Sequence, residues 1–228
     1  MILLAADTSG RDGSLALARA DGSALEILEV IGLEGGNFSA QLVPQIAGLL
    51  AKHGFSKKDI GGFAVATGPG SFTGLRVGLA AVKGLAEVLE KPVAAVSRLE
   101  VVARAGASQG RVIAALDAGR KQAFVGEYEI AGEAAVCVRE ELLTWEELAA
   151  KALGRAVATP DGSVAEALRG LGAAAVEVRN PRADAIAGVG WGKLRAGVVA
   201  DVSALEANYI RRTDAEILVL QNERGRGD

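Results

Sequence analysis

One short plan occurs twice in this chain, and it narrows the folds open to it more than any other feature. Residues 2–19 run Ile-Leu-Leu-Ala-Ala-Asp-Thr-Ser-Gly-Arg-Asp-Gly-Ser-Leu-Ala-Leu-Ala-Arg. Residues 112–129 run Val-Ile-Ala-Ala-Leu-Asp-Ala-Gly-Arg-Lys-Gln-Ala-Phe-Val-Gly-Glu-Tyr-Glu. Each is an apolar run ending at an aspartate (Asp7, Asp117), then a Gly-Arg turn, then a second, alternating run. An apolar run bounded by turn residues reads as a buried strand, and the pair of runs as a hairpin. Helical patterns follow each hairpin, so the duplication predicts an α/β protein of two related lobes. The first lobe is expected over 1–100, completed by a C-terminal segment around 185–215, and the second over 101–180. Helices are expected over 39–53, 73–90, 98–107, 144–153, 163–170 and 183–195, with further strands near 63–67, 93–96 and 155–158. Thr144 and Glu147 are spaced as a capping box at the start of one of these helices.

The second informative stretch is Gly68-Pro69-Gly70-Ser71-Phe72-Thr73-Gly74, between an apolar run and a long helical pattern. Strand, glycine turn and helix is also the layout of phosphate-binding loops. The detail does not fit them. A Walker A loop needs Lys-Ser/Thr after its last glycine, where this chain has Leu75-Arg76. The spacing of Gly68, Gly70 and Gly74 is one residue too wide for the dinucleotide pattern. The turn residues Gly68, Pro69, Gly70, Ser71 and Thr73 are therefore read as shaped for packing.

The helix that follows is apolar on two sides. At 100° per residue, Leu75, Leu79, Val82, Ala86 and Leu89 form one stripe, the ordinary core-facing pattern. Val77, Ala81, Gly84 and Val88 form another, leaving a narrow charged band at Arg76, Lys83, Glu87 and Glu90. A helix of this kind is covered on both sides, either within its own domain or by another polypeptide. Glycine in a helix costs about 1 kcal/mol against alanine. Small residues at Gly74, Gly78, Ala81 and Gly84 are expected to admit a partner helix at close range.

Catalytic candidates are few. Asp7, with Thr8 and Ser9 behind it, fits either a metal–phosphate ligand at a strand end or a turn cap bonded to its own backbone. Asp117 reads as the cap. The single histidine, His53, ends an amphipathic helix beside Gly54 and is expected to meet that helix's terminal carbonyls. One histidine and one cysteine, Cys137, make no zinc or iron constellation and no internal disulfide, and point to a reducing compartment. Ser71 has no histidine near it in sequence to act as base, so nucleophilic hydrolysis is not expected. The net charge of −3 and pI near 5.4 lack the basic face of a protein that grips nucleic acid by itself. Four arginines (Arg211, Arg212, Arg224, Arg226) gather near the C-terminus. No N-terminal signal precedes the first strand, and charges break the longest apolar runs, so no membrane segment is expected.

Several blocks resemble the bacterial TsaB (YeaZ) family. They are Leu-Leu-Ala-Ala-Asp-Thr-Ser at 3–9, the run from Gly68 to Gly78, Lys83-Gly84-Leu85-Ala86, Pro92-Val93 with Val96-Ser97, and Asp117-Ala118-Gly119-Arg120. The likeness is dense over about 1–130 and returns at Asn208-Tyr209-Ile210-Arg211. It implies an actin-like/Hsp70-like fold of two RNase-H-like lobes. It also implies a part in making N6-threonylcarbamoyladenosine at position 37 of tRNAs that read codons starting with A. In such proteins the chain is a non-catalytic subunit. It pairs through first-lobe helices with a catalytic paralogue, TsaD, supports recruitment of the ATPase TsaE, and forms a homodimer when alone. The resemblance further implies a cytoplasmic protein that meets tRNA through the complex. It implies no cofactor of its own, with ATP or ADP confined to a complex interface, and a vestigial nucleotide motif at Asp7-Thr8-Ser9 and Asp117. The two-sided helix supplies the residues expected at that interface: Gly74, Val77, Gly78, Ala81, Gly84 and Val88. Two features depart from the family pattern. Phe38 stands where many members keep a histidine, and Glu206-Ala207 precede Asn208 where a proline is common. The alternatives to a scaffold role are an actin-like ATPase or small-molecule kinase with its own site, and a glycoprotease.

Overall fold

The computed structural model describes residues 1–210 apart from 133 and 153. The four C-terminal arginines, and the expected helix end at Leu153, lie outside the described residues. Among the described residues, sixteen main elements fall into two runs of eight with the same order. The first run is β1 (Ile2–Asp7), β2 (Gly13–Asp21), β3 (Ala24–Leu33), α1 (Phe38–Lys52), β4 (Ile60–Gly68), α2 (Phe72–Leu89), β5 (Val93–Ser97) and α3 (Arg98–Gly106). The second is β6 (Gln109–Gly119), β7 (Gln122–Ala131), β8 (Ala134–Thr144), α4 (Trp145–Ala152), β9 (Val157–Thr159), α5 (Gly162–Gly170), β10 (Ala175–Glu177) and α6 (Ala183–Arg195).

The two sheets have the same topology, β3-β2-β1-β4-β5 and β8-β7-β6-β9-β10. In each, the first three strands form an antiparallel meander and the last two join in parallel through helical crossovers. This is the duplicated RNase-H-like architecture of the actin-like fold. Every residue of β1 is buried, as expected of a central strand covered on both faces, which reads as a continuous apolar run. Alternate residues enter different cores. Leu4 and Ala6 join the cluster under α1 and α2, and Leu3 and Ala5 the one under α6. Each fully buried leucine contributes about 1.5–3 kcal/mol relative to exposure.

The last helix of each run packs across the molecule. Leu99, Val102 and Ala103 of α3 join the core of the second sheet, and Ile186 and Ala187 of α6 that of the first. Both approach through a glycine. A Cβ at Gly106 would clash with Ala158 of β9, and a Cβ at Gly190 with Ala64 of β4, the matching strand of the other half. Each sheet is thus a middle layer, with a helix from the opposite half on one side. The Ala183 N–H, at the head of α6, donates to Ser14 Oγ of β2 at 2.9 Å.

Beyond α6 the chain returns along the first sheet. The Ala200 N–H donates to the Val93 carbonyl at 2.8 Å, and the Asn208 N–H to the Thr67 carbonyl at 2.7 Å. Asn208 also ends at a four-way junction between the lobes. The Glu140 carboxylate accepts from Ser97 Oγ at 2.7 Å, from the Tyr128 hydroxyl and from the Asn208 amide. Burial, with the Glu140 charge beside it, pushes the Tyr128 hydroxyl far above the ordinary phenol pKa, so it remains a donor. The capping box at Thr144 and Glu147 forms, with the two reciprocal bonds at 2.8 and 3.2 Å.

Candidate functional site

Two surfaces stand out: the outer face of α1 and α2, and the cleft between the lobes.

Ser71 caps α2, its Oγ accepting the Gly74 N–H at 3.3 Å. The turn before it is built on Gly68 at φ 109°, a conformation that glycine adopts without Cβ strain, followed by a cis bond to Pro69. The Ser71 N–H donates to the Ser9 carbonyl at 2.6 Å. Thr8 Oγ1 donates to the Gly74 carbonyl at 2.7 Å. The glycine turn therefore docks onto the Thr8-Ser9 end of β1, and Thr73 stands exposed beside it. Gly74 and Gly78 belong to this contact. A Cβ on either would lie well inside 3.0 Å of Thr8. Their expected place on a partner-facing surface is corrected: both are buried, and the close approach they permit is to the chain's own β1.

The other four expected interface residues, those of the second stripe, differ among themselves. Val77 and Ala81 are half-buried against the first core, while Gly84 is open and Val88 is 76% exposed. On this flank Val77 lines the interlobe cleft, and α2 packs chiefly on β4, α1 and β1 of its own half. Beside it, α1 packs against α2 and presents an outer stripe of its own. Ala40, Val43, Pro44, Ala47 and Ala51 are exposed and spaced i, i+3, i+4, i+7, i+11, with Val43 at 56%. No charged residue occurs between Phe38 and Ala51. A helix facing water ordinarily carries charge on its outer side, and that lack of charge is the signal from which this stripe was legible in sequence.

The cleft has a volume of about 910 Å³ and is walled by the hairpin turns of both sheets, the glycine turn and the returning C-terminal segment. It brings Ser9 and the glycine turn together with Asp117; Asp7 and Thr8 lie behind the wall, buried. Asp7 Oδ1 accepts the Ser9 N–H at 2.9 Å and the Ser9 hydroxyl, while Oδ2 sits 3.6 Å from the Arg98 guanidinium. Asp117 accepts the Gly119 N–H at 2.7 Å and Ser163 Oγ at 3.1 Å. Both aspartates are held by local donors. Among the described residues no group of three or more His, Cys, Asp or Glu side chains could hold a metal ion. At the cleft mouth Arg76 stacks over Phe72, 3.7 Å from the ring centroid, and donates to the Tyr209 hydroxyl at 3.0 Å.

His53 lies away from both surfaces. Its backbone N–H meets the Leu50 carbonyl, but its ring does not meet the helix end as expected. Nε2 lies 2.8 Å from the Glu29 carboxylate, because β3 brings an acidic side chain closer than the terminal carbonyls. Among the described residues, no helix is long and apolar enough to cross a membrane.

Comparison with known proteins resolves the family. The family model of TsaD, tRNA N6-adenosine threonylcarbamoyltransferase, matches residues 35–217. The chain is 37% identical over 130 residues to the tRNA threonylcarbamoyladenosine biosynthesis protein TsaB of Bacillus subtilis, and 34% over 132 residues to that of Escherichia coli. The chain belongs to this family, on its TsaB/YeaZ branch. The matched segment is 57% of this chain in both cases, and the chain spans about half the length of these curated relatives, 56% and 55%. The likeness in three dimensions is wider. YeaZ from Pseudomonas aeruginosa superposes with a TM-score of 0.72 at 26% identity, covering 91% of this chain and 99% of that one. A second Pseudomonas aeruginosa structure, described as an uncharacterized protein with similarity to peptidase YEAZ, gives 0.71 at 26% identity over 92% and 99%.

Proposed function

We propose that this chain is a non-catalytic docking subunit of a tRNA threonylcarbamoyl transferase assembly. It presents the outer face of α1 and α2 to a TsaD-like catalytic paralogue and uses the same face for a homodimer when alone. The observation that carries this reading is that uncharged face. On α1 the exposed Ala40, Val43, Pro44, Ala47 and Ala51 are apolar, and on α2, which packs against α1, so are the exposed Gly84 and Val88. Burying such surface against a partner is favourable at about 25 cal/mol per Å² of apolar area. The names of the relatives supply the reaction, formation of threonylcarbamoyladenosine in tRNA. The engagement of Asp7 by Ser9 and Arg98 supports a supporting role rather than a catalytic one. On this reading a TsaE-like ATPase joins the assembled pair, tRNA is met through the complex, and the protein works in the cytoplasm.

The test is co-elution of the purified chain with a TsaD-type paralogue on size exclusion. Wild type should co-migrate, and Val43→Glu with Gly84→Glu should not, because each places an unpaired charge in a desolvated contact. Wild type that runs separately from the paralogue, with and without nucleotide, refutes the reading.

A further inference from the structure

The two sheets guard their outer edges differently, and β8 is left open. We propose that the chain's own apolar run Ile217-Leu218-Val219-Leu220, which lies outside the described residues, adds to the free edge of β8 over residues 134–139.

The duplication supplies an internal comparison. β3 and β8 are the matching edge strands, and each carries a bulge at the same step. Leu28 is the extra residue opposite the Leu17/Ala18 step of β2, and Val138 the one opposite the Glu127/Tyr128 step of β7. On β3 the edge is guarded. Glu26 lies opposite Arg19 and pairs with it at 3.2 Å, and Glu29 is held by Lys52 and His53 from the end of α1. Leu28 packs against the core under α1. Charges and a covering helix are what keep an edge strand from recruiting another.

On β8 these guards are missing. Val136, opposite Glu129, takes the place of Glu26, and Val138 that of Leu28. They are 63% and 50% exposed, Cys137 between them is exposed as well, and residues 134–138 carry no charge. Among the described residues β8 pairs only with β7, so its outer row of N–H and C=O groups has no strand beside it. Neighbouring side chains on a strand point to opposite faces. The exposed apolar surface therefore lies on both faces of the sheet, which an added strand can flank and a helix lying on one face cannot.

Position and reach select the occupant. The Asn208 amide bonds to Glu140 of β8 itself, and Ile210 packs against the core that holds Tyr128 and Ile130. Residues 211–216 can span about 20 Å, whereas Val136 lies about 14 Å back along β8 from Glu140. The run at 217–220 is four apolar residues in succession, and in extended form it sets two on each face. Coming from Glu140 toward Ala134 it runs antiparallel to β8, a pairing that needs no crossover. In that direction Glu216 arrives beside Arg139, whose side chain is 65% exposed. Attachment to the same chain makes the contact independent of protein concentration.

Cys137 is the only cysteine of the chain and reports on this edge. Its rate of modification by DTNB, with amide exchange over residues 134–139, is measured on the full chain. Both are expected to be slow in wild type. Val219→Pro, which has no N–H to give to a ladder, should speed both about tenfold or more, the change that follows loss of a modest local contact. Leu218→Ser with Leu220→Ser should act in the same direction, and so should Val136→Asp on the receiving edge. Circular dichroism should show every variant folded like wild type. Equal rates in wild type and Val219→Pro overturn the proposal. So does protection that grows with protein concentration, which assigns the edge to a second copy of the chain.

Discussion

Gly78→Ala and Gly84→Ala, two identical changes six residues apart in α2, should move stability in opposite directions. Alanine is favoured over glycine in a helix interior by about 1 kcal/mol. At Gly84 the added methyl meets nothing within 4 Å, so that gain is realised in full. For a chain of this size it corresponds to a rise in melting temperature of about 2–4 °C. At Gly78 the methyl would enter Thr8 Oγ1 and approach its Cβ and Cγ2. Thr8 cannot retreat without losing its 2.7 Å bond to the Gly74 carbonyl, and it is 3% exposed. Overpacking of this kind costs about 1–3 kcal/mol, and a lost hydrogen bond about 1 kcal/mol more. Set against the propensity gain, the net is a loss of about 1–3 kcal/mol, a fall of roughly 2–12 °C. Urea unfolding followed by circular dichroism at low protein concentration, where self-association is minimal, measures both. Equal shifts in the two variants, or a stabilised Gly78→Ala, would refute the division of the helix glycines into an inward and an outward pair.

Three further outcomes are expected. Leu79→Ala, which empties a core position at 4% exposure, should cost about 2–5 kcal/mol in the same assay. Glu140→Ala should leave Tyr128, Ser97 and Asn208 without their shared acceptor, costing about 2 kcal/mol; amide exchange should then quicken over residues 198–210, and unchanged exchange would count against the junction. The third concerns pH. Hydrogen bonds from Lys52, then His53, hold the Glu29 carboxyl below its usual value of 4.5. Their contribution is complete above pH 4.5 and is lost as pH falls through the depressed native value. Wild type should therefore lose more stability than Glu29→Gln between pH 4.5 and 3, and parallel curves would exclude the pair.

The helices and the duplicated hairpins were legible in the sequence because their signals are local. The helix expected over 98–107 is α3, the one over 183–195 is α6, and the repeat at 2–19 and 112–129 marks the central strands of both sheets. The strands β3 and β8 were not read. Both are edge strands with mixed exposure, Ala24–Leu33 and Ala134–Thr144, so neither alternates cleanly. The stripe of α2 was visible as a period, but which glycines face inward depends on Thr8, roughly seventy residues earlier in the chain, and no helical wheel contains it. The α1 stripe was open to reading from missing charge, a weaker cue than periodicity. His53 was misassigned because its partner, Glu29, arrives on the unread β3.

The exchange of α3 and α6 between the halves has a consequence for how the molecule can come apart. A cut near residue 107 separates neither lobe cleanly, since each fragment keeps a helix whose seat is on the other and lacks the one that covers its own sheet. The halves behave like clasped hands: expressed singly each would expose a naked sheet and aggregate, whereas expressed together they would rebuild the fold without a peptide link. Neither half could be removed without uncovering one face of the other's sheet.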